Sequence, residues 1–268
     1  TARAVSEALR LSFFRADLLT PEVFVGLDNF IRLFTRDDLF RKVVLNTAYF
    51  TLGAVPLQMM AGLLLAVLVN VPLKGVTLFR AAFFMPVVSS VVAIALLWQW
   101  LYNSDFGIIN ETLRALGVRN PPKWLSDPDW AMPALIIMAV WRQAGYNMVL
   151  FLAGLQGIPP DLHEAAEIDG AGRWQRFWRI TLPLLSPTTF FVLVISIIGS
   201  FQVFDQALIL TNGGPANATN TVVLSIYYAA FQDFKMGYAS AMAWILFMIL
   251  IIVTIIQWNY QKRWVHYE

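Results

Sequence analysis

The chain has 268 residues, of which 58% are hydrophobic and only 13% are charged, and its mean hydropathy is +0.62. A soluble domain averages about 45–50% apolar and about 25% charged residues, so this composition indicates an integral membrane protein. The net charge of +2 comes without a long basic run, which argues against nucleic-acid binding. The absence of cysteine excludes disulfides, cysteine-ligated metals and thiol nucleophiles, and two histidines cannot form a histidine-rich metal site.

The N-terminal region contains two short candidate elements. Residues 1–14 (TARAVSEALRLSFF) do not begin with methionine and read as the end of a longer element, so we expect the remnant of an upstream membrane helix. Residues 15–42 contain FVGLDNFIRLF, in which Phe30, Leu33 and Phe34 recur at helical spacing. This spacing predicts a short amphipathic helix along the membrane surface.

Five apolar stretches follow, and each is long enough to cross a bilayer. A spanning helix needs about 20 mostly apolar residues, and the backbone in lipid must satisfy its own hydrogen bonds. The alternation of a membrane barrel is absent. We therefore predict an all-α integral membrane protein, one transmembrane domain over residues 1–268, with a bundle of about five full transmembrane helices. The predicted spans are 43–70, 80–102, 131–156, 188–211 and 237–260.

The connections between these spans differ in kind. Residues 71–79 form a short turn with Pro72 and Gly75, and residues 103–130 are polar and rich in proline. Residues 212–236 begin with Asn-Gly-Gly-Pro, a strong turn signal. Basic residues are almost balanced between the two sides of the predicted bundle, so the positive-inside rule orients it only weakly.

The most strongly patterned polar segment is 159–187, which reads PPDLHEAAEIDGAGRWQRFWRITLPLLSP. Its two leading prolines end the preceding helix. Asp161 and, three residues later, Glu164 match a capping box that would start a new short helix. Ala165 and Ala166 keep that helix thin, so another surface could approach it closely.

The chain then turns and starts a second helix, which we predict over 173–181. Either Gly170 or Gly172 can supply the left-handed residue that ends the first helix. Pro183 is expected to end the second helix, and Ser186-Pro187 predicts the start of the next span. The segment therefore predicts a helix–turn–helix elbow between two spans. The alternative is an amphipathic connector anchored by tryptophans.

The residue order in this elbow resembles the EAA loop, which marks the permease subunits of binding-protein-dependent ABC importers. The matching positions are Glu164-Ala165-Ala166, Asp169-Gly170-Ala171, Ile180, Leu182-Pro183 and Pro187. In that family the elbow is a cytoplasmic coupling helix that docks into a groove on the ATPase subunit. The resemblance implies that 157–187 is a cytoplasmic coupling loop and that the ATPase contacts Glu164, Ala165, Ala166, Asp169, Gly170 and Ala171.

Two other segments resemble carbohydrate-importer permeases of the maltose and glycerol-phosphate type. FVGLDNF at 24–30 is similar to the segment after their first helix, and TNGGP at 211–215 is similar to the turn after their penultimate helix. The resemblance covers nearly the full chain and departs from the family at the front, where the first membrane helix is largely absent. It implies import of a sugar or sugar derivative.

The resemblance also implies partners and a location. The expected partners are a second homologous permease, usually a different chain, two cytoplasmic ATPase subunits, and an extracytoplasmic substrate-binding protein. The expected location is the prokaryotic inner membrane, in contact with lipid. Because no GxxxxGK[ST] phosphate loop occurs, we expect ATP and magnesium to bind the ATPase subunit. No cofactor, metal or catalytic residue is expected in this chain.

Polar residues inside the spans are candidates for a substrate path, because such residues usually face a cavity or another helix. Gln202 and Asp205, at positions i and i+3 of one predicted helix, are the favoured pair, and Asn147 is next. Sugars are held by polar groups together with aromatic faces. The predicted path residues are Asn147, Gln202, Asp205, Phe201, Gln99 and Tyr146, with Asn46, Gln58, Arg142, Gln143, Trp98 and Phe204 as weaker candidates. The alternative for each is helix–helix contact or placement near the water interface.

Two other functional classes remain open at this point. A secondary transporter or channel would need no ATPase and would be favoured by inverted repeats and broken helices. A membrane enzyme would need a cluster of acids, bases or metal ligands within the spans. The sequence has no clear internal repeat, no cysteine and no histidine in a predicted span, and neither class explains the EAA-like loop.

Overall fold

The computed structural model of the chain describes residues 2–17, 21–71, 74–262 and 264–265. Pro72, from the predicted 71–79 turn, lies outside these residues. Within them the regular structure is helical apart from two short strands, β1 (Phe14–Arg15) and β2 (Val23–Phe24). The helices are α1 (Ala2–Ser12), α2 (Asp28–Thr35), α3 (Asp38–Val69), α4 (Val76–Val88), α5 (Val91–Leu101), α6 (Ile108–Ala115), α7 (Pro128–Gln156), α8 (Pro160–Ile168), α9 (Arg173–Arg176), α10 (Leu182–Leu184), α11 (Ser186–Phe201), α12 (Asp205–Thr211), α13 (Val222–Tyr227) and α14 (Met236–Gln261), with π-helical turns at Phe177–Thr181 and Tyr228–Gln232.

Three of these helices, α3, α7 and α14, are each long and apolar enough to cross a membrane. Two further spans are obtained only when consecutive helices are taken together, α4 with α5 and α9–α10 with α11. The prediction of an all-α membrane protein is confirmed. The prediction of continuous helices over 80–102 and 188–211 requires a correction, because each of these apolar stretches is broken.

Side-chain hydrogen bonds that hydropathy does not detect accompany both breaks. After α4, Ser89 adopts an extended backbone (φ −77°, ψ 151°), and its hydroxyl donates to the Met85 carbonyl at 2.9 Å. After α11, Phe204 leaves the helical region (φ −138°, ψ −65°). The Thr221 hydroxyl donates to the Val203 carbonyl at 2.9 Å. In both places a side-chain hydroxyl donates to a backbone carbonyl beside the break.

The described chain divides into two compact units. Unit 1 comprises Thr1–Leu52, Val91–Ile136 and Ile198–Val253. Its main core joins α2, the start of α3, the 222–232 region and α14. The buried side chains of this core are Leu33, Phe40, Val43, Val222, Ala229, Ala230, Ala239, Ala241, Met242 and Leu246.

The N-terminal part of unit 1 contains the predicted amphipathic helix and a small hairpin that sequence analysis missed. In α2, Leu33 is 1% exposed, whereas Phe34, which was predicted on the same apolar face, is 71% exposed. β1 and β2 pair antiparallel, with Phe14 opposite Phe24. The Asn29 side chain of α2 donates to the carbonyls of Ser12 at 2.8 Å and of Phe14 at 3.0 Å. These bonds attach α2 to the end of α1 and to the hairpin.

The 103–130 segment, predicted only as a polar connection, also has an internal structure in unit 1. It contains α6, whose Asn110 is 1% exposed. The Trp124 indole donates to the Asn110 side-chain oxygen at 2.8 Å, and the Asn110 amide donates to the Pro122 carbonyl at 3.1 Å. A buried asparagine thus organises a segment whose composition alone indicates a loop.

Unit 2 comprises Gly53–Ser90, Ile137–Ile197 and Thr254–Glu268. Its core packs the second half of α3 against the second half of α7 and the start of α11. The buried side chains are Ala66, Val69, Met148, Phe151, Leu152, Leu155, Leu185 and Val192. Glycines allow close helix contacts here: a Cβ at Gly62 of α3 would lie 2.4 Å from the Cβ of Asn147 in α7. Any side chain at position 62 would therefore force α3 and α7 apart.

Candidate coupling elbow and polar path residues

The 157–187 segment forms an elbow within unit 2. The elbow consists of α8, a turn at residues 169–172, and a second helical stretch from Arg173 to Leu184. The second stretch meets α11 at a bend of 63°. The sequence therefore predicted the two-helix organisation of this segment.

The turn between the two helices is a Schellman motif, a helix end closed by a left-handed residue. Gly170 has φ +80°, and its N–H donates to the Glu167 carbonyl at 3.0 Å. The Ala171 N–H donates to the Ala166 carbonyl at 2.8 Å, which completes the pair of bonds that defines the motif. Gly172 has φ −66°, a backbone conformation that any residue can adopt. The sequence allowed either glycine to be the left-handed residue, and the structure shows that it is Gly170.

The start of α8 differs from the expected capping box. The N-cap residue is Pro159, and no side chain donates or accepts a cap hydrogen bond there. Pro160 occupies the first turn, where its fixed φ and missing N–H are tolerated, so the helix begins before Asp161 can cap it. Asp161 lies instead in the first turn, where a carboxylate interacts favourably with the helix dipole. The capping-box prediction for Asp161 and Glu164 is wrong.

The second helical stretch also runs further than predicted. A π-helical turn at Phe177–Thr181 follows α9, and the short helix α10 then carries Pro183 in its first turn and ends at Leu184. Pro183 therefore does not end the stretch. The next span begins at Ser186, as the sequence predicted.

An ion pair that sequence analysis missed connects the two helices of the elbow. The Arg176 guanidinium donates to the Glu167 carboxylate at 2.6 Å and to the His163 carbonyl at 3.3 Å. The Arg176 side chain is only 17% exposed, whereas that of Glu167 is 69% exposed. Glu167 and Arg176 are nine residues apart and on different helices, so no helical or strand periodicity in the sequence predicts their contact. The pair is visible only once the turn has folded.

The outer face of α8 is open. Glu164, Ala165 and Asp169 are exposed, and Ile168 is 87% exposed. Ala166 and Ala171 are half-buried. This face presents carboxylates around a small residue and an apolar side chain, an arrangement suited to a close, partly polar contact with another protein.

The predicted path residues of unit 1 lie around the break after α11. Gln202 and Asp205 are exposed there, and Phe201 is half-buried. The helix stops at Phe201 and restarts at Asp205, so the prediction that Gln202 and Asp205 share one helical face requires correction. Gln99 is exposed, and its amide donates to carbonyls of α12, the helix that Asp205 begins, at 3.5 Å.

The predicted path residues of unit 2 are less accessible. Asn147 is 0% exposed, and neither its amide nitrogen nor its oxygen has a hydrogen-bond partner in the described part of the chain. Leaving a buried polar group unsatisfied costs about 1–3 kcal/mol. Tyr146, the neighbouring residue, is half-buried. Asn147 therefore lies in the contact between α3 and α7 rather than on an open surface.

The weaker candidate Asn46 has a structural role in unit 1. Its amide donates to the carbonyls of Asn217 and Asn220 at 2.8 and 2.9 Å. On the same helix, Lys42 donates to the Ala216 carbonyl at 2.7 Å, and the Thr47 hydroxyl accepts from the Val222 N–H at 3.0 Å. These three side chains fasten the 212–222 segment to the start of α3. The sequence signal for this role is the i, i+4 spacing of Lys42 and Asn46, which places two polar side chains on one face at the start of an apolar helix.

Comparison with known proteins gives a consistent result. Residues 49–266 match the family described as "Binding-protein-dependent transport system inner membrane component". The chain is 40% identical over 271 residues to the "Probable ABC transporter permease protein YesP" of Bacillus subtilis (strain 168), covering 100% of this chain and 87% of that protein. It is 38% identical over 239 residues to the "Lactose transport system permease protein LacF" of Rhizobium radiobacter, covering 87% of this chain and 80% of that protein.

A third relative and a solved structure extend the comparison. The chain is 36% identical over 265 residues to the "sn-glycerol-3-phosphate transport system permease protein UgpA" of Brucella abortus biovar 1 (strain 9-941), covering 98% of this chain and 89% of that protein. A chain in the crystal structure of a bacterial ABC transporter involved in the import of alginate is similar in fold. The TM-score is 0.85 at 24% identity, over 97% of this chain and 89% of that chain.

Proposed function

The chain belongs to the family of binding-protein-dependent transport system inner membrane components, and from this we propose that it imports a sugar or sugar derivative using ATP hydrolysed by a separate subunit. It is a multi-pass inner-membrane permease subunit. The family consists of transport components. The absence of a GxxxxGK[ST] loop from the sequence supports the assignment of ATP and magnesium binding to the partner.

The observation that carries the coupling proposal is the shape of the elbow. The Schellman turn at Gly170 fixes α8, the Glu167–Arg176 pair holds it to the second helix, and its outer face is uncovered. In this proposal Glu164, Ala165, Ala166, Asp169, Gly170 and Ala171 form the cytoplasmic contact with the ATPase. Closure of the ATPase would then move α11 through the helical stretch that ends at Leu184.

The proposed assembly contains a second homologous permease, usually a different chain, two ATPase subunits and an extracytoplasmic binding protein. The family description itself names dependence on a binding protein. Broken helices are also expected of secondary transporters, and the described residues include two pairs of helices that are sharply bent at a short break. Family membership nevertheless favours the ATP-driven importer, because residues 49–266 match the binding-protein-dependent family and one relative is named a probable ABC transporter permease protein.

The proposed substrate class rests on relatives named for lactose and glycerol-3-phosphate transport. The exposed side chains at the break after α11, Gln202 and Asp205, offer an amide and a carboxylate for hydroxyl groups. Gln99 lies beside α12, and Phe201 could cover the apolar face of a ring. We place these residues on the path, with Asn147 and Tyr146 as further members whose exposure would require a rearrangement of α3 and α7.

A matched pair of substitutions tests the coupling contact. Ala165 is exposed, so Ala165→Trp leaves the packing of this chain unchanged but fills the space needed for close approach of the ATPase. Gln175→Trp places the same side chain on an exposed position of α9, outside the matched motif. In reconstituted complexes, Ala165→Trp should abolish stimulation of ATP hydrolysis by loaded binding protein, and Gln175→Trp should retain it. Normal stimulation in Ala165→Trp would show that the elbow is only a connector.

The substrate class is tested separately, on the soluble binding protein that supplies this permease. A ligand screen by thermal shift would compare mono- and disaccharides, glycerol phosphates and amino acids at equal concentration. Stabilisation by a sugar or sugar derivative supports the proposal. Stabilisation only by an amino acid would overturn the carbohydrate assignment and leave the coupling proposal intact.

A further inference from the structure

Unit 2 contains a groove of about 1100 Å³ that the coupling proposal does not use. One wall is apolar and is formed by Met60, Leu64 and Val67 of α3, with Leu155 and Ile158 after them. Met60 is 67% exposed and Leu64 is 61% exposed, so no described helix covers this wall. The volume exceeds the range of about 300–1,000 Å³ that is typical of small-molecule pockets. The groove therefore suits a large, mostly apolar ligand.

The other side of the groove belongs to the elbow and carries positive charge. The titratable residues in its lining are His163, Arg173 and Arg176, and none of the described residues that line it carries a carboxylate. Arg176 is paired with Glu167 at 2.6 Å. The Arg173 side chain is exposed and, in the described ranges, forms no hydrogen bond or ion pair. The groove thus presents one unpaired guanidinium beside a long apolar wall.

Aromatic residues on this rim are of the type that is enriched at a membrane interface. Trp174, which also lines the groove, is 74% exposed and stacks against Phe177 with ring centroids 6.2 Å apart. Tryptophan is enriched where lipid headgroups meet the hydrocarbon core. Basic pockets at this depth attract anionic headgroups. Charge, apolar wall and aromatic rim all match an amphiphile with an anionic head.

We propose that this groove binds an anionic phospholipid from the leaflet on the same side of the membrane as the elbow. Its phosphate pairs with Arg173, and one acyl chain lies along Met60, Leu64 and Val67. A soluble phosphate would leave the apolar wall exposed to water. A zwitterionic lipid has no net negative charge and would therefore neutralise the Arg173 guanidinium less well. The proposal depends on the membrane location of the chain and is independent of which substrate it carries and of which subunit hydrolyses ATP.

The test counts the lipid retained by the purified importer complex. The complex in mild detergent is incubated with phosphatidylglycerol or with phosphatidylcholine of identical acyl chains, and bound lipid is measured by native mass spectrometry. We expect preferential retention of phosphatidylglycerol. Arg173→Gln should reduce that preference about fivefold, the effect of one basic residue near an anionic surface. Arg179→Gln, which removes an exposed arginine of the same elbow outside the groove lining, should keep it.

Four results would overturn the proposal. They are equal retention of the two lipids by the wild-type complex, equal loss in Arg173→Gln and Arg179→Gln, and displacement of the lipid by soluble glycerol phosphate, which has no acyl chain. The fourth is quantitative cross-linking of Leu64→Cys to the second permease in native membranes, which would make the groove a protein interface. None of these measurements requires transport, so a result that overturns lipid binding leaves the proposed transport function untouched.

Discussion

Gly170 is the residue at which the backbone geometry of the elbow is most demanding. Its φ of +80° is a left-handed conformation, and an added Cβ would meet no atom within 4 Å. The cost of Gly170→Ala is therefore conformational strain without steric overlap. For an L-residue this strain is about 1–2 kcal/mol, which reduces the population of the native turn by a factor of about 5 to 30.

The neighbouring glycine provides a matched control. A Cβ added at Gly172 would also meet no atom within 4 Å, but the φ of −66° at this position is accessible to any residue. Gly172→Ala should therefore leave the turn intact. Gly170→Pro is the severe variant, because proline cannot adopt φ +80° and cannot donate the 3.0 Å bond from Gly170 to the Glu167 carbonyl.

The assay is stimulation of ATP hydrolysis by loaded binding protein in reconstituted complexes, together with the yield of assembled complex. We expect partial loss in Gly170→Ala, complete loss in Gly170→Pro and wild-type stimulation in Gly172→Ala. The membrane spans should still fold, because the turn is exposed. Equal behaviour of Gly170→Ala and Gly172→Ala would refute the argument from the left-handed turn, and wild-type stimulation in Gly170→Pro would refute a coupling role for the elbow.

Three further predictions concern topology, packing and the path. In this cysteine-free chain, an impermeant thiol reagent outside intact cells should label Ser126→Cys and not Arg173→Cys; the opposite pattern would invert the topology. Gly62→Ala should lower the thermal stability of the complex by overpacking worth about 1–3 kcal/mol, because its Cβ would lie 2.4 Å from that of Asn147. Gly199→Ala, which meets no atom within 4 Å, is the control, and equal stability of the two variants would contradict the packing argument. Replacing Asn147, Gln202 or Asp205 singly by alanine should lower sugar uptake without loss of complex assembly. Unchanged uptake in all three variants would show that these residues do not line the path.

Hydropathy and motif order predicted the parts of the fold that depend on local sequence. The apolar runs correspond to α3, α7 and α14, and the elbow starts and ends close to its predicted bounds. Gly170 was one of two glycines predicted to turn the chain, because a left-handed helix end strongly favours glycine. These features follow from neighbouring residues, so a single sequence contains them.

The features that the sequence did not show depend on residues far apart in the chain. The break after α11 is supported by Thr221, and the 212–222 segment is fastened by Lys42 and Asn46 more than 170 positions earlier. The Glu167–Arg176 pair forms only once the turn has folded. The capping box failed for a local reason, since the preference of proline for the first helical turn displaced Asp161 from the N-cap.

We propose that this chain carries a sugar across the membrane with energy from ATP hydrolysed in another subunit. The most direct measurement is accumulation of a labelled sugar in liposomes that contain this chain, the second permease and the ATPase, with binding protein on the substrate side and ATP on the other. We predict accumulation only when all these components and ATP are present. Accumulation by the permease chains alone, driven by an ion gradient and unaffected by omission of the ATPase, would contradict the claim and identify a secondary transporter.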